Sequence, residues 1–200
     1  MHIFRYGSTA IDHLGKRDKK LGKAIEEIGM IERGVTPDLF TALVASVASQ
    51  QVSAKAAETV RERMEERFGV ITPESIATAA VEEIQQCGMS MRKAGYIKGI
   101  GNAVAAGNLV LEELHVLPDE VVIARLTALN GVGVWTAEML LIFSMERPDV
   151  VSWGDLAIRR GMMRLYGKVA IDRATFERYR KRYSPYGSVA SLYLWEISHR

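Results

Sequence analysis

The 200-residue chain predicts an all-α fold, and three observations carry the prediction. Apolar residues recur at three- and four-residue spacing, as in "LFTALVASVAS" (39–49) and "LVLEELHVL" (109–117), which draws one apolar stripe along a helix. No long stretch alternates apolar and polar residues as a half-buried strand would. Prolines open the periodic segments, and glycines close them.

Taken in order, Pro37, Pro73, Pro118 and Pro185 each stand just ahead of such a segment, with Thr36, Thr72 and Ser184 preceding three of them. A missing N–H costs nothing in a helix's first turn, and a hydroxyl there caps an orphan amide. Gly69 after "ERMEERF" and Gly167 after "GMMRLY" mark helix exits. A short gap holding Gln50 and Gln51 separates "LFTALVASVAS" from "SAKAAETVRERM". In "VVIARLTAL-NGVG-VWTAEMLLIFSM" (121–145) two helices flank a tight glycine turn. "ERPDVVSWG" (146–154) has Pro and Gly but no helical period, so it reads as a loop, the expected crossing between two lobes. The pattern amounts to about ten helices, with no repeat and no low-complexity linker. The expected domains are a middle helical lobe over 37–147, containing the hairpin at about 122–146, and a second lobe made of 1–36 plus 148–200.

Composition narrows the class. With 48% hydrophobic and 25% charged residues the chain is ordinary for a soluble globular protein. No apolar run nears the roughly 18 residues of a membrane span, and the N-terminus has no signal-peptide core. The expected address is therefore the cytoplasm, at a prokaryotic nucleoid, or the nucleus in a eukaryote. Cys87 is the single cysteine, so a disulfide framework or a four-cysteine metal site is excluded and a buried structural thiol is expected. His2, His13, His115 and His199 are scattered without ligand spacing, and no phosphate-binding P-loop or nucleophile elbow occurs. The net charge of +2 permits a nucleic-acid partner without requiring one. Basic clusters at 16–20, 91–98, 157–164 and 178–182 read first as solvated helix faces.

The glycine turn carries more information. Gly131 and Gly133 allow positive φ and close backbone approach, while Val132 is placed to tuck between the two helices. The second helix starts here, so its unpaired amides and positive dipole end face outward, which suits a phosphate. Such a contact positions a nucleic-acid backbone without reading its sequence. The alternative is a plain helical hairpin. Further on, one acid, Asp155, stands before "LAIRRGMMRLYG", where a helix N-cap is the competing role.

"LTALNGVGVWTAEMLLIF" followed by "WGDLAIRRGM" resembles the helix-hairpin-helix DNA glycosylase superfamily. "VASVASQQVSAKAAETV" (44–60) and "CGMSMRKAGYIKGI" (87–100) are similar to its 3-methyladenine DNA glycosylase II branch. Four motifs fall in the family's order over residues 37–197. The resemblance implies two helical lobes around a DNA-binding cleft, double-stranded DNA with a damaged base as partner, and no obligate protein partner. It puts Asp155 on the catalytic aspartate, Trp135 and Trp195 on pocket aromatics, and Gln51 on or beside the wedge that fills the gap left by a flipped base. Gln50 is the other candidate, and sequence does not choose between them. Backbone contacts are expected from Gly131, Val132, Gly133 and Thr136, with Arg159 or Arg160 reaching a phosphate. Two departures bear on the pocket: Ser152 and Trp153 stand where the family often has proline, and Met139 stands where some relatives have a tyrosine.

The chemistry fits those residue types. Cleaving an N-glycosidic bond builds positive charge on the sugar, and a fixed carboxylate beside it supplies electrostatic stabilisation. An indole face favours a cationic alkylated purine by roughly 0.5–2 kcal/mol. Relatives that also nick the strand use a lysine just after the hairpin, whereas Trp135 stands there and no lysine occurs from Gly131 to Gly167. The expected activity is monofunctional removal of alkylated purines of the 3-methyladenine and 7-methylguanine type. The alternatives are a glycosylase for an oxidised or mispaired base, or a non-catalytic DNA-binding module. No cofactor is expected beyond a monovalent or divalent cation at the hairpin.

Overall fold

The computed structural model describes residues 2–200. Thirteen helices and one two-stranded ribbon make up the regular structure of these residues. They fall into two compact units, Thr36–Leu140 and the pair of segments Met1–Val35 and Leu141–Arg200. The second boundary lies within a helix, ahead of the 146–154 loop.

The split unit contains β1 (His2–Ile3), α1 (Ser8–Arg17), α2 (Lys19–Ile28) and β2 (Gly34–Val35) from the first segment. The strands pair antiparallel, His2 opposite Val35 and Ile3 opposite Gly34. Two residues per strand are too few to show an alternating pattern, so the sequence carried no sign of them. Three helices of the second segment, α11 (Leu156–Tyr166), α12 (Arg173–Tyr183) and α13 (Gly187–His199), complete the unit. α13 is its central post, buried continuously from Gly187 to Leu194. α11 lies directly on it at Gly161, where an added Cβ would sit 2.1 Å from the Leu194 carbonyl oxygen. A polar knot ties the first segment to this core. The buried Asp18 carboxylate caps α2 and accepts hydrogen bonds from Tyr166 (2.6 Å) and Arg182 (3.0 Å).

The continuous unit holds α3 (Leu39–Ala48), α4 (Ala54–Phe68), α5 (Pro73–Thr78), α6 (Val81–Gln86), α7 (Met91–Ala105), α8 (Leu111–Leu114) and α9 (Asp119–Thr127), and α10 (Val134–Phe143) up to Leu140. α7 is its hub, packed by α3, α5 and α6. Leu43, Val47, Ile76, Ile84, Ala94, Ile97 and Ile100 are buried. Cys87 is buried, its thiol 3.6 Å from the Glu83 carbonyl. α10 is buried at Ala137, Leu140, Leu141 and Ile142, while Val134 and Trp135 in its first turn are exposed.

Of the three hydroxyl caps expected, Thr72 alone acts as one. Thr72 caps α5 through Ser75 N, with the Ser75 hydroxyl returning to Thr72 N. Thr36 does not cap α3. That helix begins later, and Asp38 accepts from Thr41 N at 2.7 Å. Ser184 does not cap α13 either, and its hydroxyl donates to Asp149 Oδ2 at 2.6 Å.

Gly161→Ala is expected to cost about 1–3 kcal/mol, because the added methyl meets backbone rather than a movable side chain. Urea unfolding of the two proteins measures the difference, and an unchanged midpoint would contradict so close a helix contact.

Candidate active site

In the split unit the site is built on α11 and the loop before it. α13 holds that loop by side-chain bonds to its backbone: Ser188 Oγ accepts from Val150 N at 3.0 Å, and Ser191 Oγ donates to Val150 O at 2.9 Å. Val150, Val151 and Ser152 are buried. Trp153 meets Phe176 edge-on at 5.1 Å between ring centroids. The guanidinium groups of Arg159 and Arg173 lie over the Trp153 ring at 5.0 and 5.4 Å. Packing and hydrogen bonds therefore stiffen the stretch in which Ser152 and Trp153 depart from the family's frequent proline.

The loop ends at Asp155. Its backbone is extended (φ −81°, ψ 114°), and Oδ1 accepts from Ile158 N at 2.9 Å, so the residue is the N-cap of α11. The cap fixes the carboxylate at the start of an 11-residue helix. Asp155 is only 7% exposed. The sequence reading requires this group to be reachable, and burial leaves only a small part of the residue's surface accessible. Burial also strengthens it, since a charge shielded from water acts on its neighbours through a lower dielectric.

The arginines one turn on divide. Arg159 is turned onto Trp153, with its Nε buried and without a hydrogen-bond partner, while Arg160 is exposed. Trp195, on α13, is half-buried against Phe143 at 5.3 Å, and Arg33 lies 5.2 Å from the Phe143 centroid. Phe143 and Arg33 are thus neighbours of an expected pocket aromatic that sequence alone did not single out. Tyr193 is structural: it is buried and donates to Gly29 O at 3.0 Å.

In the continuous unit, α9 and α10 form the glycine hairpin. Val132 is buried, as its place between two helices implies. Gly131 has φ +88°, and an added Cβ would lie 2.4 Å from the Tyr96 ring of α7. Gly133 has open space around it. The first-turn amides of α10 have no acceptor within the helix, by the geometry of any helix start. Trp135 is 47% exposed, unlike an aromatic packed in a core, and Met139 follows it by one turn, half-buried. Thr136 is a correction. It is 5% exposed, because the side of α10 that carries it also carries buried Ala137 and Leu140, so its hydroxyl is not offered to a phosphate.

The two glutamines differ. Gln50 donates from Nε2 to the Gly131 carbonyl at 2.9 Å, tying its loop to the hairpin. Gln51 is exposed and has φ +56°, a left-handed conformation uncommon for a residue with a side chain. Lys93 of α7 underpins the Gln50 side of this loop. Its ammonium donates to the carbonyls of Ala48 (2.9 Å) and Gln50, closing the C-terminal end of α3. Burial, and then the neighbouring Arg92, lower its pKa. The basic cluster at 91–98 is therefore not simply a solvated face.

Residues 44–185 match the family model described as HhH-GPD superfamily base excision DNA repair protein. The chain belongs to that superfamily. A superfamily relative, DNA-3-methyladenine glycosylase 1 of Schizosaccharomyces pombe, is 36% identical over 164 residues, covering 80% of this chain and 72% of that protein. A solved DNA-3-methyladenine glycosidase from Bacillus halodurans superposes with a TM-score of 0.88 at 36% identity, covering 99% of this chain and 93% of the other. The S. pombe 3-methyladenine DNA glycosylase in complex with abasic DNA gives 0.83 at 32% identity, covering 96% and 97%. All-α architecture is common to the superfamily and this chain.

Lys93→Met removes a charged donor from two carbonyls and is expected to cost about 1.5–3 kcal/mol. Amide hydrogen exchange should accelerate at residues 48–53 and stay unchanged around Asp155. Unaltered protection of 48–53 would show that Lys93 does not hold the loop.

Proposed function

We propose that this protein is a monofunctional DNA glycosylase of base excision repair, which removes alkylated purines from an everted nucleotide and leaves an abasic site. The observation that carries the reading is Asp155, fixed by its own helix cap in a member of a base excision repair superfamily. The names of the relatives, DNA-3-methyladenine glycosylases of S. pombe and B. halodurans, support the alkylated substrate.

The C1′–N bond breaks with its electron pair leaving on the base. A purine alkylated at N3 or N7 carries a positive charge, so this pair neutralises it, and no general acid has to act on the base. The sugar is left as an oxocarbenium-like cation, which the Asp155 carboxylate stabilises by charge. Water then adds to C1′ and loses a proton to solvent. Every step uses water and the carboxylate alone.

Other residues bind and orient. The exposed Trp135 indole takes the cationic base on its face, with Met139 one turn on beside it. Gln51 is the wedge: its tip is exposed, while Gln50 is already bonded to Gly131. Filling the hole offsets the few kcal/mol lost on extruding a base. Backbone amides at Gly131, Gly133 and the start of α10 hold phosphates, a monovalent or divalent cation at the hairpin would serve the same end, and Arg160 adds a charged contact; the Val132 amide is already donated to Leu129 O at 3.2 Å. No lysine between Gly131 and Gly167 offers an amine to the sugar, so no Schiff base forms.

Asp155→Asn keeps a side-chain oxygen for the cap and removes only the charge. It is expected to lose about a hundredfold or more in base release, with DNA affinity retained and stability within about 1 kcal/mol of the parent. The assay offers DNA carrying 7-methylguanine, 3-methyladenine, 8-oxoguanine or uracil and measures free base. Release of only the oxidised base or uracil would refute the alkylation reading, and full activity of the variant would refute the role of Asp155. Borohydride reduction during turnover should trap no protein–DNA adduct. A trapped adduct would mean that an amine attacks the sugar.

A further inference from the structure

Two basic clusters of the sequence, 16–20 and 178–182, take no part in the proposed reaction. The fold brings them together within the split unit. Arg17, Lys19 and Lys20 at the α1–α2 junction, Lys168 just after α11, and Arg182 of α12 line one pocket of about 400 Å³.

The only acid on its wall is already engaged. Asp18 is buried. Its Oδ1 accepts from Lys20 N and Leu21 N, both at 3.1 Å, and its Oδ2 accepts from Tyr166 and Arg182. Among the described residues, Arg17, Lys19, Lys20 and Lys168 are in no ion pair with an acid. Unneutralised charges lining a recess focus a positive potential and concentrate anions there.

The floor decides what kind of anion fits. Tyr166 and Tyr179 stack at 3.7 Å with 14° between their planes, and the Arg182 guanidinium lies over both rings. Both tyrosines are buried in this stack, so no open aromatic face is left for a base. The Lys20 and Leu21 amides at the pocket are held by Asp18, so its side-chain donors are ammonium and guanidinium groups. Such a set suits closely spaced phosphoryl oxygens.

We propose that this pocket is a second phosphate-binding site, built from residues other than those of the hairpin. Tyr166 and Asp155 stand at opposite ends of α11, about 16 Å apart by helix rise. That is about five nucleotide steps along one strand of a duplex. The pocket thus holds backbone phosphates that flank the damaged nucleotide, or a free polyphosphate of the same chemistry.

The test is the variant Lys19→Gln, Lys20→Gln, Lys168→Gln, which leaves Asp18, Tyr166 and Arg182 in place. Lys23→Gln, Lys55→Gln, Lys181→Gln is the control, with the same charge loss at residues that do not line the pocket. Affinity for a duplex of about 25 base pairs with a central abasic analogue is measured between about 50 and 200 mM salt. Inorganic pyrophosphate binding is measured by calorimetry on the same proteins. The pocket variant is expected to bind the duplex about tenfold more weakly than the control, with a salt slope smaller by about 0.9 for each phosphate lost. A duplex effect assigns the site to nucleic acid. Loss of pyrophosphate binding alone assigns it to a free polyphosphate. Equality of pocket variant and control in both arms overturns the proposal. The duplex arm rests on the proposed function and the pyrophosphate arm does not. Base release at saturating protein, recorded alongside, separates failure of this site from failure of that reading.

Discussion

No side chain fits between α11 and α13 at Gly161, and the site of the split unit depends on that contact. Backbone against backbone leaves α11 little freedom to slide or roll, so the residue that starts it is fixed as well. That residue is Asp155, and its carboxylate is fixed a second time by the bond from Ile158 N. α13 also supplies the serines that hold the Val150 backbone and carries Trp195. One buried helix thus serves as support for the acid, the loop before it and that tryptophan. On the proposed reading, preorganisation of this kind makes the single charge effective, because nothing need reorient when the sugar becomes cationic.

The continuous unit reaches a comparable rigidity by hydrogen bonds. Lys93 closes the end of α3, Gln50 joins the following loop to Gly131, and Tyr96 fills the space that glycine leaves at the hairpin. Lys93 and Tyr96 both belong to α7, so one helix holds the glutamine loop and the hairpin in register. Gln51 keeps an unfavoured backbone conformation, and its neighbour's two anchors supply the surrounding constraint that such a residue needs.

Periodicity made the helices legible, because burial of one face leaves a three-to-four-residue rhythm that needs no knowledge of partners. The caps were legible as chemistry but not always as position: Thr72 is where it was expected, and Asp38 replaces Thr36 because the first turn of α3 starts later. Asp155 could be read as a cap from its own neighbourhood, yet its near-complete burial could not, since the covering residues lie elsewhere in the chain. Thr136 misled for the same reason. Its place beside an exposed tryptophan says nothing about which side of α10 its own side chain takes. Least legible were the long-range bonds. Lys93 meets Ala48 across 45 positions and Arg182 meets Asp18 across 164, and both lysine and arginine read locally as surface charge.

The lone cysteine has a meaning in this setting. Methylating and related electrophiles attack thiolates as readily as they attack purine nitrogens, and on the proposed reading the protein works where such reagents have been. Cys87 is buried, and that burial pushes its thiol above the ordinary range, so little of the reactive anion forms at neutral pH. The fold thereby hides its softest nucleophile from the agents that create the lesions it would repair.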